Sequence, residues 1–337
     1  MRATVPPSSA LLPDARRRVR ADAAGAAQPP TAGDKPVFYT NRFCPYAQRV
    51  AIALNAKGVA CERVEIDLRN KPEWYKALVP SGKVPALALP GDAAPRVESL
   101  ELLRLIESAF PGPPSLLPPG DAAKAECEAL FALCDSVYVR QGYTVLSSTA
   151  PPEQLAADFR AVAAPVEAKL AEHGGPFLLG KTFSQADVAF APFTERYALA
   201  FRDIRGWPML DAHPALAAWH AAVEAQPAFA ASRVPEAELL ALYRMFLGAD
   251  YFNKAGVTAP KTPGDAGATS RRSLAALPLL FLPLRGCSTP GSTDTRVPPG
   301  DPCTPLWQPA GAAEARAVQR LRGATDADQA DAPAKTD

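Results

Sequence analysis

No stretch of this chain stays apolar for the roughly 18 residues that a membrane-spanning helix needs. The longest candidate, residues 274–284, is short and interrupted by Pro278 and Pro283, so a soluble protein with no membrane partner is expected. An excess of one charge is missing too: the formal net charge is +1, with acids and bases intermixed. That removes the electrostatic footprint of a nucleic-acid binder and favours work on a small molecule. The six cysteines (44, 61, 127, 134, 287 and 303) lack both the C-x-x-C spacing of a zinc site and the density of a secreted disulfide scaffold, which points to a reducing compartment. His173, His213 and His220 share no spacing suited to a metal site or a Ser/His/Asp arrangement, so neither is expected.

The first 34 residues lack the apolar core of about 7 to 15 residues that marks a secretory signal. They are rich in Ala, Pro and Arg, with no acid before Asp14. This composition is similar to that of an organelle transit peptide, although a disordered extension is the plainer reading. The expected location is the cytoplasm, or a plastid if the segment is a cleaved leader.

What is present begins with Val37-Phe38-Tyr39, a short β-prone run. A turn and a helix from about Pro45 to Lys57 follow, stopped by Gly58. Val64, Ile66 and Leu68 alternate with acids as a second strand, and Pro72 suits the first position of a brief helix. Residues 84–89, the turn Pro90-Gly91-Asp92 and Arg96-Val97 read as an antiparallel pair, and Leu102, Leu103, Ile106 and Phe110 form one face of a third helix. The order is therefore βαβαββα, ending at the proline-dense segment Pro111-Gly112-Pro113-Pro114. Beyond it, apolar stripes at helical spacing predict a bundle of five helices. They run through Leu130 to Tyr138, Leu155 to Leu170, Phe193 to Phe201, Leu216 to Val223, and Leu239 to Phe246. The expected division is an extension over 1–35, an α/β domain over 36–111, a linker over 112–119, an all-helical domain over 120–247 and a disordered tail over 248–337.

Cys44 falls between the first strand and Pro45, at a helix start where unpaired N–H groups and the helix dipole favour a thiolate. Its pKa is expected to fall, making it a redox nucleophile rather than an inert core thiol. Ala47 stands where a dithiol enzyme would carry its resolving cysteine, so an external thiol such as glutathione has to complete any cycle. Val84-Pro85 predicts a special turn that exposes Val84 backbone groups to a peptide-like ligand, or one that is merely structural. Glu98-Ser99, at the start of the third helix, suits the ammonium and carboxylate of an α-amino acid, and an ordinary N-cap would read the same way. Lys71 offers a cation, as surface lysines also do. Ser184-Gln185-Ala186-Asp187 has the form of a capping box.

The segments FYTNRFCPYAQRV, NKPEWYKALVPSGKVPAL, VESLELLRLIE and GPFLLGKTFSQADVAFAPFTERY, in this order, resemble the cytosolic glutathione transferases. Among these the cysteine-type classes, plant lambda first and omega next, are most similar. The resemblance covers residues 36–247 and implies a thioredoxin-like N-terminal domain followed by an all-α helical bundle domain. It implies that Cys44 forms a mixed disulfide with glutathione, bound by Phe43, Pro45, Lys71, Val84, Pro85, Glu98 and Ser99, with Pro85 cis. It further implies a monomer with glutathione as cosubstrate, no permanent cofactor, and a small apolar or aromatic acceptor. The expected activity is thioltransfer, reducing glutathionylated or oxidised small molecules. Conjugation of electrophiles and non-catalytic carriage of flavonoid-like ligands are the alternatives.

Overall fold

In the computed structural model, the described residues are the strand at 18–21, residues 33–248, and positions 252 and 257. Short runs of β-prone residues make the sheet: β1 (Arg18–Ala21), β2 (Val37–Thr40), β3 (Glu62–Ile66) and β4 (Ala86–Ala88), in the order β1-β3-β2-β4. β1 and β2 flank β3 in parallel, with Val64 opposite both Val19 and Tyr39, whereas β4 runs antiparallel to β2, Leu87 facing Phe38. Beyond β4 the expected strand pair is reduced to one bridge, in which Leu87 and Arg96 exchange both backbone bonds at 2.9 Å. β1 lies within the segment 1–35 expected to be a disordered or transit-like extension. Without it β3 would be a sheet edge, and an open edge presents unpaired N–H and C=O groups that a further strand satisfies. The other residues before 33 lie outside the described residues.

Helices α1 (Pro45–Ala56), α2 (Glu73–Leu78) and α3 (Ser99–Ala109) complete the α/β part. α1 packs against α3 but is also covered by the helical part, so its Pro45 and residues 47–54 are all buried. Tyr75 of α2 is buried against Tyr39, ring centroids 5.6 Å apart, and its hydroxyl donates to the Lys83 carbonyl at 2.5 Å. After α3 the proline-rich connection feeds Leu116 into the core, where its carbonyl accepts the Gln185 N–H at 2.7 Å.

The helical part comprises α4 (Asp121–Leu133), a π-helical turn (Cys134–Val139), α5 (Arg140–Ser147), α6 (Pro152–His173), α7 (Gln185–Asp203), α8 (Pro214–Glu224), α9 (Pro227–Ala230) and α10 (Glu236–Gly248). The first expected stripe, Leu130 to Tyr138, is thus broken by a wider turn. The Tyr197 hydroxyl lies against the Tyr138 and Val139 carbonyls of that turn, at 3.1 and 2.9 Å. Gly142 follows, where a Cβ would stand 2.6 Å from the Tyr197 ring, so no larger residue fits without displacing it. The tail boundary at 248 is likewise corrected. Gly248 closes α10, and Phe252 is buried and stacked on Tyr143 at 4.5 Å, beside the buried Tyr143–Tyr243 hydroxyl pair. The rest of 249–337, apart from Val257, lies outside the described residues.

α7 is the axis of this part, buried on every side from Gln185 to Tyr197. Its N-terminus is the expected capping box. Buried Asp187 accepts from the N–H groups of Ser184 and Leu178, the Ser184 hydroxyl and the Trp219 indole, all at 2.8–2.9 Å. Removing this acceptor orphans several buried donors, each worth about 1–3 kcal/mol. Asp187→Ala is therefore expected to lower unfolding stability by at least about 3 kcal/mol, read as a drop in urea midpoint at constant slope.

Candidate thiol site

The loop between β2 and α1 is tied down at Asn41. Its side-chain amide donates to the Ile66 carbonyl at 3.0 Å, its Oδ1 accepts the Phe43 N–H at 3.1 Å, and its carbonyl accepts the Cys44 N–H at 3.0 Å. Cys44 is thereby delivered as the N-cap of α1 with Pro45 in the first turn. The sulfur faces the N–H groups of Tyr46 and Ala47. The thiol donates toward the Val84 carbonyl, Sγ to O 3.8 Å.

The expected depression of its pKa is not what this placement produces. Cys44 is 1% exposed, and burial pushes the thiol up to about 11. The amide of Ala47, the charge of Arg196, the amide of Tyr46 and the charge of Arg49 all pull the other way. Desolvation of a fully enclosed thiolate outweighs a helix start and two cations.

Of the remaining sequence-derived residues, Val84 meets this thiol directly. The Val84–Pro85 peptide bond is cis, and Val84 lies directly against the sulfur. Lys71, half-buried, rests over Gly82, where a Cβ would meet its Nζ at 3.4 Å. Burial lowers its pKa, helped by nearby Lys76, and no carboxylate pairs with it among the described residues. Glu98 has φ +68° and ψ 110°, the only non-glycine positive φ among the described residues. Such backbone strain concentrates at ligand-holding positions. Glu98 is the N-cap residue of α3, without a side-chain cap bond, and Ser99 occupies the first turn. The Ser99 hydroxyl is buried and accepts from Arg49 at 3.0 Å. Phe43 is half-buried beneath Arg42, and Pro45 is buried.

Three residues missed from the sequence tie the site together. Arg49, fully buried, binds the Ala189 carbonyl at 2.9 Å, Ser99 at 3.0 Å and Asp135 at 2.7 Å. Arg196 of α7 donates to Gln48 Oε1 at 2.6 Å, to the Pro192 carbonyl at 2.7 Å and to the Phe43 carbonyl at 3.1 Å. Gln48 also donates to Glu195 at 3.1 Å. The available signal was the rarity of such groups on two otherwise apolar helices, since a polar group buried with them must find a partner.

Enclosure of the thiol has a measurable consequence. In peptide-resolved alkylation, the Cys44 rate is expected to keep rising with pH toward about 11, where an exposed cysteine levels off above a pKa of about 8.5.

A family model described as the glutathione S-transferase N-terminal domain matches residues 38–114, and one described as the C-terminal domain matches residues 151–222. The chain is 36% identical over 213 residues to glutathione S-transferase L2, chloroplastic, from Arabidopsis thaliana, covering 61% of this chain and 69% of that one. Glutathione transferase Omega 3C from Trametes versicolor superposes with a TM-score of 0.57 at 27% identity, over 65% of this chain and 93% of its own. Rice GST1, solved in complex with glutathione, gives a TM-score of 0.57 at 26% identity, over 65% and 99%. With a thioredoxin-like part that presents Cys44, an all-helical part behind it, and relatives of this kind, the chain belongs to the glutathione S-transferase family, where it resembles the plant lambda members.

Proposed function

We propose that the protein is a glutathione-dependent thioltransferase working through Cys44 alone. The observation that carries this reading is the Cys44 sulfur at the start of α1, 3.8 Å from the Val84 carbonyl and without a second cysteine at position 47. A serine or tyrosine hydroxyl can steady a glutathione thiolate for conjugation but cannot form a disulfide with it, whereas a cysteine can.

In the proposed cycle the Cys44 thiolate attacks the glutathionyl sulfur of a mixed disulfide. A Cys44–glutathione disulfide forms, the original S–S bond breaks, and the acceptor leaves as a thiolate that takes up a proton. The thiolate of a second glutathione then attacks this disulfide, releasing oxidised glutathione and restoring Cys44. Glutathione would lie with its peptide backbone along Val84, its γ-glutamyl end at Glu98 and Ser99, and its other carboxylate toward Lys71. The strained Glu98 and the unpaired Lys71 support this placement.

Cys44→Ser is expected to abolish turnover of glutathionylated disulfides, and intact mass after treatment with oxidised glutathione should show one Cys44-dependent adduct that the variant lacks. Full activity of the variant overturns the reading, and faster turnover of an aromatic halide than of a disulfide would point to conjugation instead. Lys71→Met is expected to raise KM for glutathione about tenfold with kcat little changed, because it removes binding shared by ground and transition states.

A further inference from the structure

The burial that lifts the Cys44 pKa creates a demand for a nearby positive charge, and the fold supplies two candidates. The titratable and charged groups that interact with Cys44 are Tyr46 and Arg49 of α1, Tyr75 of α2, Arg196 of α7 and Tyr243 of α10. The tyrosines stay neutral, so beside the Ala47 and Tyr46 amides the arginines are the charges that offset a thiolate. They are not equivalent. Arg49 is matched by Asp135 at 2.7 Å and turns its guanidinium toward α3 and the π turn. Arg196 has its nearest carboxylate, Glu195, at 3.5 Å, and that carboxylate is already engaged by Arg233 at 2.7 Å and by Gln48 at 3.1 Å.

The direction of the Arg196 guanidinium adds a second, independent observation. Its Nη2 donates to the Phe43 carbonyl, the peptide unit that leads into Cys44, while its Nη1 holds Gln48, one turn beyond the cysteine on α1. Its Nε–H is buried and has no hydrogen-bond partner among the described residues, in a side chain that is 1% exposed. A buried cation with a spare donor and an incompletely matched charge would ordinarily be costly, and it persists where an anion forms beside it.

We propose that Arg196 is the positioning residue of the thiol site: from the helical part of the chain it holds the Phe43 carbonyl before Cys44 and the Gln48 side chain beyond it, and supplies the counter-charge for the thiolate. One of the two cations beside the thiol is then provided by α7, so the α/β part alone lacks the full charge environment of Cys44. This inference rests on the proposed role of Cys44, yet it is tested without turnover.

The experiment is the rate of Cys44 alkylation by iodoacetamide at fixed pH, resolved by peptide mass spectrometry, in the full-length protein. Arg196→Gln is expected to slow it about tenfold, the effect of raising a thiol pKa by about one unit, whereas Arg196→Lys, which keeps the charge, stays within about threefold of the parent. Glu195→Gln removes the carboxylate that competes for Arg196 and is expected to speed alkylation, an arm that remains readable if Arg196→Gln does not fold. An unchanged rate in Arg196→Gln, equal slowing in Arg196→Lys, or no gain in Glu195→Gln overturns the proposal. Retained thioltransfer by Cys44→Ser would instead overturn the proposed reaction and leave these rates untouched.

Discussion

The burial of α1 on every side is the constraint from which the site follows. A helix that lies between a sheet and a helical bundle has no water to satisfy its polar side chains, so Gln48 and Arg49 have to be met by groups from other elements. They are met by α7, α3 and the π turn, through Arg196, Glu195, the Ala189 carbonyl, Ser99 and Asp135. The two parts of the chain are therefore joined by hydrogen bonds that converge within one or two turns of the cysteine. Any shift of α7 against α1 is felt at the Phe43–Cys44 peptide.

Two opposing electrostatic effects meet at Cys44, and their relative size decides its chemistry. Helix-start amides and two arginines favour the thiolate, and enclosure disfavours it more strongly. The thiol consequently rests protonated against the Val84 carbonyl, shielded from casual oxidation. The proposed ligand contacts are other groups: strained Glu98, unpaired Lys71 and the Val84 backbone.

The position of Cys44 was legible in the sequence because it depends on neighbours in the chain: a strand, a turn and a proline at the first helical turn. The capping box at Ser184–Asp187 was legible for the same reason. The direction of the Cys44 pKa was not, since it is set by burial in the folded chain, among side chains from α2, α7 and α10 that no local pattern brings to the cysteine. Nor was the Gln48–Arg196 pair, whose members are 148 residues apart. Phe252 was missed because the short pair Tyr251-Phe252, beyond the last helical stripe, has no periodicity to reveal it. Val64 and Ile66 revealed β3, but its second partner, β1, carries too few apolar residues to stand out from an arginine-rich extension.

The stacking of Phe252 on Tyr143 bears on the order in which the chain is made. The Tyr143–Tyr243 hydroxyl pair already joins residues 100 positions apart, and Phe252 lies further on. On the ribosome, α5 through α9 emerge well before the segment that covers their aromatic centre, and apolar surface left open at that stage invites aggregation. The aromatic centre of the helical part is therefore complete only once residue 252 has emerged, and until then Tyr143 has Phe193 and Tyr197 against it but not the stacked ring of Phe252.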